Sequence, residues 1–479
     1  MNPYTWVKPY NLYFSIPRWL KLATFAYFLF FTGFGNLYQL YVEPDKSFLV
    51  IALVLIRILS GFLVILPILL FRRVGVFHLL VFPFYLNLLK NLAQNPLFLI
   101  APFLGGGVTL QSTALVPLDK LNLIQLNLEG AAYSIIFLIF MYFGYFSSII
   151  RPPKLVTAAR RKMIPNWRFY FLSFVILGTA MAFFSIQGGL TSWISKWGAE
   201  GGRSEAMEGL GPVLRFLRTA FFLPLAWYLY KGSKVFFNPG FWVILFVTVF
   251  LGFAATGSRS SVLHSLIPFL IAYALRNRKL PIMRAFALGV VFFLLFGLLG
   301  QIRTASTFNE GNFSWENIDF SIGENFDRAV NEAEKWGNEG AAIALYLSVP
   351  EEVDFLYGLT YIGAASFWIP RAIWRNKPHG AGYYNGRLIF GRNSGVPPGA
   401  ISEAFWNFGI IGIMVMGFFQ GFLIKSFTLL FEQNYSSVGV IVIYLIVLKA
   451  GLTVSSLALT GLFQSLIFVI LGLRFLRLL

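Results

Sequence analysis

The sequence predicts an all-α, polytopic integral membrane protein, with about twelve transmembrane helices and one long outer loop that itself contains helices. Three observations carry that expectation. Of 479 residues, 57% are apolar and 12% charged, far from the balance of a water-soluble domain. Apolar runs long enough to cross a hydrocarbon layer of about 30 Å recur along the chain. Lysine and arginine gather in alternate connections, the asymmetry that orients membrane helices. The formal charge of +18 therefore asks first for a membrane explanation, and nucleic acid is not an expected partner. With no cysteine in the chain, disulfides, thiolate nucleophiles and cysteine metal sites are excluded.

Taken in order, the chain opens with Lys8, Arg18 and Lys21 and no acid. The apolar run from Leu22 is too long for a signal peptide and lacks its cleavage pattern, so it reads as an uncleaved first span with the N-terminus inside. Spans are expected near 20–40, 47–71, 74–91, 131–150, 169–187, 213–231, 239–256, 261–275, 285–301, 401–424, 438–454 and 456–473. The apolar stretch 97–116 is read as re-entrant or interfacial, or as a replacement for the weaker span 74–91. Counted as an extra span, it would turn Arg151, Lys154, Arg160, Arg161, Lys162 and Arg168 outward, against the positive-inside rule. With this parity both termini lie inside. The inner connections hold 20 lysines and arginines against one acid, Glu432, and the outer segments 13 against 19.

Three regions follow: an N-terminal bundle of about nine helices over 1–301, a long outer loop over 302–400, and C-terminal helices over 401–479. In the loop, Ser321 to Leu347 reads as an amphipathic helix, with Ile322, Phe326, Val330 and Trp336 near one face. The stretch 368–400 is rich in Gly and Pro and carries Arg371, Arg375, Lys377, His379, Arg387 and Arg392, a composition suited to an anionic ligand.

Arginine within a span costs about 2.5–3.5 kcal/mol on insertion scales, so such residues usually face a bundle interior or an aqueous cavity. Arg215 and Arg218 share one helix face near the outer end of their span. Arg259 lies in the outer turn Thr256-Gly257-Ser258-Arg259-Ser260-Ser261, and Arg303 follows the outer end of another span. No carboxylate is expected at that depth, so the compensating charge should come from a ligand. A planar guanidinium donates in a fork that suits diphosphate oxygens, which points to an anionic lipid diphosphate. Arg57 and Lys449, also inside spans, either join that cavity or brace the bundle. The few aspartates form no Asp-x-Asp pair, the three histidines are scattered and no Walker loop occurs, so neither a metal nor another cofactor is expected.

Three stretches together resemble the O-antigen polymerase (Wzy-type) and O-antigen ligase group of bacterial envelope glycosyltransferases, of the GT-C class. They are Ala255-Thr256-Gly257-Ser258-Arg259-Ser260-Ser261, the run Trp368 to Gly380 (WIPRAIWRNKPHG), and the run Pro397 to Gly412 (PPGAISEAFWNFGIIG). The resemblance implies an enzyme of the bacterial inner membrane acting on undecaprenyl-diphosphate-linked oligosaccharide at the periplasmic face. It would pass the growing glycan of an O-antigen, capsule or exopolysaccharide from its lipid diphosphate to a sugar hydroxyl of the next repeat unit. A chain-length regulator and a flippase are the protein partners such an enzyme would have.

Arg259 and Arg371 match the motif arginines of the group, and Lys377 and Glu403 fall in its other motifs. Arg375-Asn376 stands where a Pro-acidic pair is expected after Trp374. The diphosphate set expected is Arg215, Arg218, Arg259, Arg303, Arg371, Arg375 and Lys377; His379 and Glu403 are the candidate bases, and Trp368 and Trp374 the sugar platforms. Glu403 has a second reading, as an acid favoured by a helix N-terminus. Three alternatives stay open: a ligase that delivers the glycan to lipid A core, a flippase for the same lipid, and a polyprenyl-monophosphate sugar transferase using Glu43 or Asp45 in the first outer loop.

Overall fold

The computed structural model describes residues 15–28, 47–71, 74–85, 120–149, 164–196, 210–255, 260–277, 298, 301–302, 321, 339–369, 371, 373–391 and 395–479. These residues are almost entirely helical, and their one β feature is an antiparallel bridge between Ser15 and Gly75. The helices are α1 (Arg18–Phe28), α2 (Ser47–Leu70), α3 (Lys120–Phe146), α4 (Asn166–Ile186), α5 (Leu190–Ser195), α6 (Gly211–Thr219), α7 (Phe222–Lys231), α8 (Pro239–Ala254), α9 (Ser260–Asn277), α10 (Glu339–Ser348), α11 (Leu359–Ala365), α12 (Ala381–Tyr384), α13 (Ala400–Asn434), α14 (Val438–Ala450) and α15 (Ser456–Phe475). α12 runs on as a π turn over Asn385–Ile389.

Among the described residues five helices, α2, α3, α4, α13 and α15, are long and apolar enough to cross a membrane, where about twelve spans are expected from the sequence. Three of the differences have local causes, and residues 29–40 and 285–297, in two further expected spans, lie outside the described residues. The expected span 213–231 is broken after Thr219, because Pro224 has no N–H for the Ala220 carbonyl. Leu223 takes that carbonyl instead, at 3.1 Å, and the turn tightens. The expected span 74–91 opens as turns over 76–81, pinned by His78, whose Nδ1 accepts from the Leu80 N–H at 3.1 Å. α14, expected to run to 454, stops after 13 residues and is buried from Val438 to Leu448, a core helix shorter than a bilayer. The stretches 97–116, 286–297 and 322–338, together with Glu43 and Asp45, lie outside the described residues.

α13 is two helices. Phe408 (φ −148°, ψ 21°) and Gly409 (φ 61°, ψ −146°) leave helical geometry, and only glycine takes the second pair of angles without strain. The chain reverses there so sharply that Gly412 packs on the Ala404 carbonyl, leaving 410–434 as the membrane-length helix. The Trp406 carbonyl, deprived of its helical donor, accepts from Leu356 N–H at 2.9 Å, and Trp406 Nε1 donates to the Asp354 carbonyl at 3.1 Å. The outer-loop segment 353–358 is thereby clipped to the break.

α3 and α13 pack backbone to backbone, with Gly417 on the Phe137 carbonyl, Gly421 on the Met141 carbonyl and Gly144 on the Phe418 carbonyl. This register makes α3 and α13 parallel. Arg57 on α2 donates to Asn127 on α3 at 3.4 Å, so it braces two helices.

Contacts sort the connections into two ends. At one end His78 meets Tyr145, Arg168 donates to the Phe475 carbonyl, Arg276 to the Tyr228 carbonyl, and Ser437 to the Leu478 carbonyl. At the other, Trp193 donates to the Ala254 carbonyl and Ser456 N–H to Glu403. Each of these contacts joins segments that the charge parity assigns to the same side.

Candidate functional site

Two groups of cations sit against the first turns of α15. The first belongs to the bundle. α6 begins with Pro212 in its first turn and presents Arg215 and Arg218 one turn apart. The Arg215 guanidinium lies on the backbone of α15 at Gly461, where an added Cβ would stand 2.8 Å from Cζ and from both terminal nitrogens. Thr219 fixes the register of the two helices: its hydroxyl donates to the Arg215 carbonyl at 2.7 Å and lies 3.1 Å from the Ser465 hydroxyl. From the last turn of α14, Lys449 comes within electrostatic reach of both arginines, with its ammonium 4.2 Å above the Phe221 ring. Among the described residues none of the three cations meets a carboxylate. Three like charges gathered at a half-buried site repel one another, so an anion held there gains from all three.

The second group is the loop. The Arg371 guanidinium turns inward and donates to the Lys377 carbonyl at 2.7 Å, to the Pro378 carbonyl at 3.5 Å and to His379 Nδ1 at 3.0 Å. Lys377 Nζ donates back to the Ile369 carbonyl at 3.1 Å, closing the segment 369–379 on itself. Burial pushes the Lys377 ammonium below its ordinary range, and the Arg371 charge pushes it further. The His379 ring stacks on Tyr383 (centroids 3.7 Å apart, planes within 9°), and Arg387 covers Tyr383 at 4.5 Å. The Tyr384 hydroxyl accepts from the His379 N–H at 3.3 Å. Asn385, fully buried, donates to the Val396 carbonyl at 2.9 Å while Val396 N–H returns to the Gly382 carbonyl at 2.8 Å, so 382–396 is a closed loop.

A guanidinium has no acceptor, so His379 Nδ1 is the acceptor in its contact with Arg371. The neutral ring then carries its hydrogen on Nε2. In this arrangement the ring is a donor through Nε2 and an acceptor through Nδ1, and a base role for Nδ1 requires it to part from Arg371.

Glu403 is 2% exposed. It stands in the first turn of α13, and its Oε2 accepts from Ser456 N–H at 3.1 Å, at the start of α15. Oε2 thus caps the N-terminus of α15, while the buried Oε1 meets no hydrogen-bond partner among the described residues, so capping accounts for one of the two carboxylate oxygens. Its neighbours are buried polar groups. Asn407 donates to Thr360 Oγ1 at 2.9 Å and to the Glu403 carbonyl at 2.8 Å, while burial beside Glu403 holds the Tyr361 phenol well above its ordinary range. Gly380, next to His379, lies against the Ser456 hydroxyl, and Gly363 of α11 against the Pro378 carbonyl. The loop, α11, the first part of α13 and α15 are therefore one packed unit.

Of the residues expected from the sequence, Arg215 and Arg218 come together, as do Arg371, Lys377 and His379. Arg375 is exposed and meets no partner among the described residues. Trp368 is exposed and Trp374 half-buried. Arg259 and Arg303 lie outside the described residues. Lys449 stands with the arginines and over the Phe221 ring. Tyr383, Tyr384 and Asn385 went unread in the sequence; the run Tyr383-Tyr384-Asn385-Gly386 directly after the basic stretch is the signal that marks them. No family model, curated protein or solved structure matches the chain.

Proposed function

We propose that the chain is a membrane glycosyltransferase that polymerises undecaprenyl-diphosphate-linked oligosaccharide repeat units at the periplasmic face of the bacterial inner membrane. One observation carries the reading. Arg215 lies on α15 at Gly461, within electrostatic reach of Arg218 and Lys449 and with no carboxylate partner among the described residues, and Gly380, which follows the Arg371–His379 segment, packs on Ser456 at the start of the same helix. Such an array suits a dianionic leaving group. In the transfer, the bond between the anomeric carbon and the diphosphate oxygen breaks and a bond to the acceptor hydroxyl oxygen forms. The hydroxyl proton goes to the departing diphosphate, an anion already in the site. Preformed N–H donors stabilise the charge that develops on that diphosphate, each contributing roughly 3–4 kcal/mol if oxyanion-hole losses are a guide. Arg371 adds to this set, Arg259 and Arg303 are expected from the sequence in the same role, and half-buried Trp374 offers a ring to the sugar. No metal enters the reaction.

The test is the purified protein in liposomes with a defined lipid-linked repeat unit. Products longer than one unit are expected; transport of the unit with no elongation overturns the reading in favour of a flippase. The two broken helices, at 220–221 and 408–409, are the observation that favours that second reading, since discontinuous helices line binding sites in transporters. A ligase differs from a polymerase in its acceptor. Deleting the gene in its host separates them, because lost polymerisation leaves single repeat units on the surface lipid and lost ligation leaves none.

A further inference from the structure

We infer that α11 and the turn that follows it are embedded in the lipid leaflet on their side of the membrane, so that the outer loop is seated in the bilayer surface. α11 is two-sided. Thr360 and Ala364 are buried against the bundle and Gly363 against the Pro378 carbonyl, while Leu359, Ile362 and Ala365 face outward at helical spacing. The following turn leaves Trp368 70% and Ile373 78% exposed, on either side of Arg371, whose charge points inward to the loop carbonyls. Large apolar side chains out and the cation in is the inverse of a water-facing loop.

The occupant of this face is set by what it joins. Gly358, just before α11, lies against the Phe408 ring at the break in α13. Phe408, Ile410 and Ile411 are exposed in turn, and they begin the outward side of the membrane-length part of α13. Apolar side chains are therefore exposed on both sides of the contact that joins a candidate span to α11. The other limit of this face is sharp: Glu351, Glu352 and Asp354 are exposed and acidic, and Tyr357, 71% exposed, follows. A waterline between Asp354 and Tyr357, with Tyr357 and Trp368 at the boundary and Arg375 exposed beside Ile373, is the composition of a membrane interface. Trp368 then anchors the loop in lipid and leaves Trp374 for the sugar. The consequence for catalysis, that Arg371 lies at headgroup depth where a lipid-borne diphosphate sits, rests on the proposed function; the seating of the loop does not.

The chain has no cysteine, so one introduced thiol is the only one. Ile362→Cys, Trp368→Cys, Ile373→Cys and Glu351→Cys, each spin-labelled in the full-length protein in anionic lipid vesicles, report depth. At 362, 368 and 373 oxygen should broaden the signal more than a water-soluble nickel chelate does, and at 351 the order should reverse. Nickel dominating at all four positions overturns the inference. So does spin–spin broadening at 362 and 368 with neither reagent effective, which marks a second copy on this face. Because the labelled side chains are exposed, the core is untouched. A second measurement avoids labels: brominated lipid quenches tryptophan fluorescence, and Trp368→Phe should remove a quenched component. An unchanged quenched fraction in that variant speaks against the seating, whatever the enzyme assay gives.

Discussion

Arg371 holds three acceptors at once, the carbonyls of Lys377 and Pro378 and the ring nitrogen of His379, and it does so from two terminal nitrogens fixed in one plane, which a single ammonium nitrogen cannot reproduce. Arg371→Lys keeps the charge and loses the fork. It should lower elongation by about 10²-fold, within the range of losing one transition-state donor, with normal membrane insertion, as read by product length from a defined lipid-linked unit. The His379 tautomer makes a sharper distinction. If its service is an Nε2–H, His379→Gln, which keeps an amide N–H, should stay well above His379→Ala; equal loss in both would point to a base. For the bundle cations the prediction couples stability to binding. Lys449→Met relieves repulsion from Arg215 and Arg218, so it should raise Tm in the absence of anion. Wild type should be stabilised by added inorganic pyrophosphate, by about 2.7 kcal/mol at a hundredfold excess over Kd, and the variant much less.

Helix breaks and helix contacts in this protein depend on single small residues or prolines. The pair Gly417 and Gly421 on α13, with Gly144 on α3, lets two backbones touch. Gly421→Ala puts a Cβ into the Met141 carbonyl and should cost about 1–3 kcal/mol in a thermal melt in detergent. Gly178→Ala, on α4 with open space around it, is the control and should be neutral or stabilising by up to about 1 kcal/mol. Apolar runs show where a helix can lie, but not where it reverses. The span expected over 213–231 carries Pro224, and the one over 401–424 carries Gly409; both breakers are visible in the sequence. Proline and glycine are tolerated in membrane helices, so neither residue by itself announces a break. The Gly-x-x-x-Gly spacing of 417–421 is legible too, though its partner on α3 is not.

For the whole molecule, the sidedness inferred from charge makes a prediction that needs no enzyme. Ser233→Cys, exposed at the end that gathers the basic connections, should resist a membrane-impermeant thiol reagent applied to intact spheroplasts; Arg387→Cys, in the loop, should react. Contacts between Arg168 and Phe475, Ser437 and Leu478, and Glu403 and Ser456 each join segments of one assigned side, as that topology requires. Class, helical content and the expected sidedness rest on apolar length and on the placement of lysine and arginine. Both are properties of the chain read residue by residue, because a bilayer sorts segments one at a time. Which cations meet was decided only by packing. The register of α6 on α15 depends on Thr219 and Ser465, 246 positions apart, and on Gly461, which makes room for Arg215. Lys449 reaches the arginines because α14 stops short and is buried beside them, and Arg57, similar in sequence context, braces two other helices. A charge inside a span is costly wherever it lies, so the sequence shows that it needs a partner; only the three-dimensional arrangement decides whether that partner is the protein or a ligand.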